Sequence, residues 1–177
     1  MDYRTHPDMP EVYDQGALGS CTAQAVGALC DFKYGKEYAY TPSTLFLYYV
    51  TRLREGTVNI DSGATLRNAI KSANDWGISQ EEFWPYNIGA FKELPTEEAF
   101  SIAEKHQALE YARLTQNVDE LRECLASGNL FAFGIGVYDG LYNVTKDNSV
   151  LAIPTLADKL YGGHAVCDVG YNDLDKV

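Results

Sequence analysis

The chain has 177 residues, 46% of them apolar and 22% charged, an ordinary make-up for a soluble globular protein of one domain or two apposed subdomains. Its net charge of −11, from 25 acidic and 14 basic side chains, repels phosphate backbones and anionic lipid surfaces, so neither nucleic acid nor membrane is expected as a partner. No apolar run reaches bilayer-spanning length, and Met1 to Pro10 lacks the apolar region of a secretory signal, which leans towards a cytoplasmic or intracellular location.

The first half reads as helical. Residues 1–14 are a polar N-terminal extension. Cys21 to Tyr34 places Ala25, Leu29 and Phe32 at helical spacing, with Gly35 closing the helix. Thr41 is the expected cap of a second helix, with Pro42 in its first position, running through Arg54 to a stop at Gly56. A third starts near Ser62 or Thr65, carries Leu66, Ala69, Ile70 and Ala73, and ends at Gly77. A short helix with an acidic head is expected from Thr96 to Lys105.

The second half changes character. Ala108 to Leu114 reads as a strand, and Asn117 caps a helix from Val118 to Ala126 ended by Gly128. Leu130 to Tyr138 and His164 to Tyr171 read as apolar strands, with a mostly looped stretch between them and one edge strand near Ser149 to Ile153. The pattern is α+β, with residues 15–106 as a helical subdomain, 107–177 as a β-rich one, and a cleft between them. No internal repeat or low-complexity tract interrupts it.

Four cysteines (Cys21, Cys30, Cys124 and Cys167) form no C-x-x-C pair and fit no zinc spacing, so no metal or other cofactor is implied. Cys30, Cys124 and Cys167 lie in apolar segments and read as small hydrophobes rather than disulfide partners. Cys21 differs: it opens a helix directly after Gly19-Ser20, where the helix N-terminus favours thiolate. A thiolate nucleophile needs a proton donor for its leaving group, and imidazole supplies one near neutral pH. Of three histidines, His6 lies in the polar extension and His106 at the end of an acidic helix. His164 opens an apolar strand after Gly162-Gly163, where backbone and substrate can come close.

The run Gln15-Gly16-Ala17-Leu18-Gly19-Ser20-Cys21 resembles the nucleophile motif of the papain and cathepsin family of cysteine peptidases. Gly163-His164-Ala165-Val166, continuing through Val169-Gly170-Tyr171, is similar to that family's histidine motif. The two lie 143 residues apart, within the family's usual separation of roughly 130–150 residues. The resemblance implies a two-subdomain fold with an antiparallel β half and the active-site cleft between. It implies that Cys21 attacks the scissile carbonyl, that His164 acts as base and acid, and that Gln15 donates to the oxyanion. Asp61-Ser62-Gly63-Ala64 resembles the family's substrate-binding glycine loop, making Gly63 a backbone partner of the substrate. Ala64, Gly163 and Ala165 are the implied lining of a small apolar subsite, and Trp84-Pro85-Tyr86 matches a structural aromatic segment.

Three departures accompany the likeness. Leu18 stands where classical members carry a disulfide cysteine beside the nucleophile, which suggests a bacterial- or viral-type branch or a reducing compartment. Thr22 stands where they carry an aromatic residue. The family's orienting asparagine, in an Asn-Ser-Trp segment beyond the histidine strand, has no counterpart before Val177. Asn172 is eight residues past His164, about 26 Å along an extended strand at ~3.3 Å per residue, and out of reach. The β half is therefore expected to be C-terminally incomplete. Hydrolysis of peptide or protein substrates through a Cys21 thioester is the leading expectation. A catalytically incompetent peptide-binding scaffold, or acyl transfer from the same thioester, is the alternative. Oligomeric state is not legible.

Overall fold

The computed structural model describes residues 1–38, 40–108 and 110–173. Among the described residues five α-helices precede and an antiparallel pair of strands follows: α1 (Cys21–Tyr38), α2 (Thr44–Glu55), α3 (Leu66–Asp75), α4 (Glu97–Ala103), α5 (Val118–Ala126), β1 (Phe131–Tyr138) and β2 (Leu160–Asp168). Among the described residues no helix is long and apolar enough to cross a membrane.

Local chemistry accounts for most helix boundaries. The side chains of Thr65, Thr96 and Asn117 accept hydrogen bonds from the amides of Asn68, Ala99 and Asp119 at the starts of α3, α4 and α5, satisfying donors that have no partner within the helix. Gly56 ends α2 with φ +73°, a conformation that glycine adopts without strain. Two expectations fail here. Helix α1 does not close at Gly35 but continues to Tyr38. Gly35 serves close packing instead: the Tyr40 amide donates to its carbonyl, and an added Cβ would stand 3.2 Å from Tyr40 O. Helix α2 is capped by Ser43 rather than Thr41. The Ser43 amide donates to Ser79 O and the Glu81 amide to Thr41 O, so Thr41–Ser43 is extended chain paired around Gln80.

The helical half is built on α2, whose Thr44–Arg52 are all buried. Leu45, Phe46, Leu47, Tyr48 and Val50 join Ala23 and Val26 of α1, Ala69 and Ala73 of α3, and Ala99 and Ala103 of α4 in one core. Gly27 lets α1 and α2 come close, since a Cβ there would lie 2.6 Å from Thr44 Cγ2. A second core contains Tyr3, Leu125 and Phe131, with Phe32 of α1 packed against it. Helix α1 thus contributes to both cores.

In the strand half, β1 and β2 pair antiparallel with Ile135 opposite His164, flanked by Gly134 opposite Ala165 and Gly136 opposite Gly163. Strand β2 begins at Leu160 and ends at Asp168, so the expected strand from His164 to Tyr171 is shifted towards the N-terminus. No strand forms at 149–153, and none at 108 or 110–114; Leu109 lies outside the described residues. The Ala108 amide donates to Ala73 O, which draws that segment onto α3. Beyond β2, Val169–Tyr171 are paired by residues 1–3. The Tyr3 amide donates to Val169 O and the Tyr171 amide to Met1 O, with an antiparallel bridge between Asp2 and Gly170.

Candidate active site

The loop that precedes Cys21 is braced from within and from outside. Leu18 and Ser20 are buried, and the Gln15 amide Nε2 donates to Leu18 O at 3.0 Å, folding the loop onto itself. The Tyr86 hydroxyl donates to Gln15 O at 2.9 Å and shares a 2.6 Å hydrogen bond with Ser20 Oγ. One phenol therefore holds both ends of the segment that precedes Cys21. Gln24 Nε2 donates to Ser20 Oγ at 3.2 Å from the first turn of α1. Half-buried Cys21 is the first residue of that helix.

The glycine loop lies directly against this segment. Gly63 adopts φ +70°, and a Cβ there would sit 3.8 Å from Gly19 O. Asp61 joins the loops: the Gly19 amide donates to both carboxylate oxygens, at 3.1 Å each. The Tyr48 hydroxyl donates to Asp61 Oδ1. Burial first, and then the bond to Asp61, raises the Tyr48 phenol above its usual range, so it stays protonated and able to donate. Over the Tyr48 ring, at 4.1 Å, lies the guanidinium of Arg52, which is fully buried. It donates to Val58 O at 2.7 Å, to Ile60 O at 3.2 Å and to Phe91 O. Carbonyl oxygens thereby replace the water that a buried cation loses, and they fix the chain leading into Asp61. Half-buried Ala64 packs against the helical core.

His164 arrives from the strand half. It is half-buried on β2, Ala165 is buried and Gly163 exposed; strand alternation puts the latter two on the sheet face opposite to His164. Helix α1 packs against β2, which brings the element led by Cys21 to the strand carrying His164. No hydrogen bond joins the two side chains. The competing candidates have other surroundings. His106 stacks on Tyr40 at 4.5 Å and its Nε2 shares a hydrogen bond with Gln80; burial, then Lys105, lowers its pKa. His6 is not in a free tail but lies against Tyr3 and Phe32. All four cysteines are free. Burial raises the thiols of Cys124, Cys30 and Cys167, the last two to about 12, so at neutral pH they are protonated.

The relatives of this arrangement are consistent with one another. Xylellain, a cysteine protease from Xylella fastidiosa, is 38% identical and superposes with a TM-score of 0.85 over 93% of this chain and 68% of its own. The chain belongs to the papain-like cysteine peptidases. A peptidase C1-like protein of Acanthamoeba polyphaga mimivirus is 34% identical across 97% of this chain, which spans 59% of that viral protein's length. The procathepsin B S9 of Trypanosoma congolense shares the papain-like fold at a TM-score of 0.74, with 16% identity, over 99% of this chain and 62% of its own. No protein-family model matches the chain. The architecture is the α+β papain-like one, helical half first and antiparallel strands second.

The motifs disclosed Gln15, Cys21, Gly63 and His164 as candidates. They did not disclose the supports. Tyr86 was legible only as part of an aromatic segment, and its signal was a ring with a polar tip directly after Trp84-Pro85. Asp61 was visible as a loop residue, without a role.

Proposed function

We propose that this papain-like chain carries a cysteine-type peptidase site in which Cys21 is the nucleophile and His164 the general base and acid. The observation that supports this best is the setting of Cys21. It opens α1, after a loop pinned by Tyr86, beside a glycine loop whose Asp61 and Ser62 are exposed. Burial holds the other three thiols protonated at neutral pH, which leaves them poor nucleophiles.

In the proposed reaction the Cys21 thiolate adds to the scissile carbonyl of a peptide or protein substrate. The Gln15 side-chain amide and the Cys21 amide donate to the oxyanion that forms. As the C–N bond breaks, the His164 imidazolium gives its proton to the leaving amine, leaving a thioester. Neutral His164 then takes a proton from water, which attacks the thioester and returns the thiolate. Gly63 pairs with the substrate backbone as an added strand would, with Ala64 beside it as a small apolar contact.

A peptidyl epoxide or vinyl-sulfone probe tests this. Labelling is expected at Cys21, abolished by Cys21→Ala and slowed at least tenfold by His164→Ala. Labelling unaffected by His164→Ala, or none at Cys21, would favour a peptide-binding scaffold. Gln15→Ala is expected to lower kcat by ~10²–10³, the usual cost of one oxyanion donor. Turnover with an added amine distinguishes hydrolysis from acyl transfer by the product formed.

A further inference from the structure

The covalent staple that classical relatives place beside the nucleophile is missing, because Leu18 occupies its position and every cysteine is free. The nucleophile loop and the glycine loop nevertheless touch. The geometry points to Asp61 as the positioning residue that takes over this task, latching the nucleophile loop to the glycine loop without a covalent bond. The inference rests on the peptidase reading of Cys21.

Three observations build the latch. The Gly19 amide precedes the helix and has no carbonyl partner; it gives its hydrogen to both oxygens of Asp61, at 3.1 Å each. The carboxylate is held in turn by the hydroxyl of Tyr48, a fully buried residue of α2 and so part of the rigid helical core. The backbone just before Asp61 is clamped by Arg52, through the carbonyls of Val58 and Ile60. Force applied to Gly19 therefore passes through Asp61 and Tyr48 into α2. Cys21 lies two residues beyond Gly19, and Gly63 two residues beyond Asp61, so the same contact sets the nucleophile and the substrate-binding backbone relative to each other. Gly19 is closely packed: a Cβ there would stand 3.0 Å from Asp61 Oδ1, so the carboxylate would have to give by a few tenths of an ångström, and 3.4 Å from Gly63 N, an ordinary contact. Asp61 is itself at the surface, and the contact is available without burying a charge.

The latch needs a hydrogen-bond acceptor at position 61 rather than a charge. Asp61→Ala is expected to lower kcat/KM and the alkylation rate of Cys21 by iodoacetamide together, by tenfold or more, since displacements near 1 Å at a reacting group cost up to ~10²-fold. Asp61→Asn, which keeps one acceptor oxygen, is expected to stay within about fivefold of the parent. Backbone hydrogen exchange at Gly19 supplies a readout independent of turnover, with exchange at least tenfold faster in Asp61→Ala. Tyr48→Phe leaves the carboxylate in place and removes its support, so it reports even where Asp61→Ala fails to fold; Gly19 exchange is expected to quicken severalfold. An unchanged Gly19 exchange rate in Asp61→Ala, or equal losses in Asp61→Ala and Asp61→Asn, would overturn the latch. Absence of Cys21 labelling in the parent protein would instead sink the peptidase reading, with Gly19 exchange still judging the latch.

Discussion

Burial pushes the thiol of Cys30 up from 9.0 to about 12, and the neighbouring Asp31 carboxylate adds to the effect. The sign of the consequence follows from proton counting. Between those two values the unfolded chain has released the proton that the folded chain still holds, so stability declines as pH rises through that window. One such thiol contributes a slope of at most about 1.4 kcal/mol per pH unit. Cys30→Ala is expected to flatten the alkaline limb of melting temperature against pH between 9 and 11, with a smaller change at pH 7. An identical limb in parent and variant would show that the thiol does not titrate in this window. At this scale the sequence offers candidates where a contiguous motif carries them: Gln15, Cys21 and His164, the residues proposed for the chemistry, each sit in a recognisable run. It was silent where chemistry depends on closure in space. Gly19 and Asp61 are 42 positions apart, and no local pattern announces that an amide of one will meet the carboxylate of the other.

Helix α2 shows how a long-range pairing overrides a local signal. Thr41-Pro42 has the form of a cap followed by a first-turn proline, and Ser43, two residues later, falls inside the helix expected from that signal. The structure uses Ser43, whose Oγ accepts from the Phe46 amide at 3.1 Å and donates to Trp84 O at 2.5 Å. Thr41 is exposed and belongs to the extended pairing with Gln80 and Glu81. Removing the buried hydroxyl by Ser43→Ala leaves a helix donor and the Trp84 carbonyl without that partner. The expected cost is about 1–2 kcal/mol in urea unfolding. Thr41→Ala is expected to cost less than about 0.5 kcal/mol, as exposed substitutions away from special features do. Equal costs would mean that Thr41 is the working cap. The expected strands at 108–114 and 149–153 went wrong for a related reason. Alternation marks a segment that fits a sheet, but a strand exists only where a partner offers its edge. Asn117 and Thr96 start their helices as read, and Thr65 is the one of the two expected starts that α3 uses, because these contacts close within three residues.

The two cores have unequal resources, and that governs how the molecule is expected to fail. The helical core is wide, whereas the second consists of Tyr3, Leu125 and Phe131 with partly buried neighbours. Tyr3 lies in the stretch that reads as a polar extension, yet it is buried, packs edge-on to Phe32 and donates from its hydroxyl to Leu125 O at 2.7 Å. Its backbone is joined to Val169, which follows the strand that carries His164. Backbone pairing of this kind is indifferent to side-chain type, so the hydropathy of residues 1–14 could not reveal it. Tyr3→Ala removes one of three buried anchors and is expected to destabilise the protein by about 3–4 kcal/mol, in the range of large core truncations. Tyr3→Phe keeps the ring, leaves the Leu125 carbonyl without its donor, and is expected to cost only about 1 kcal/mol. The loss should be local before it is global: hydrogen exchange in β1 and β2 is expected to accelerate in Tyr3→Ala more than exchange in α2. Probe labelling of Cys21 is expected to slow in step with β2, because the strand that carries His164 loosens while the helix led by Cys21 keeps its contacts with α2. Uniform acceleration across α2 and the strands would show instead that the two cores unfold as one cooperative unit.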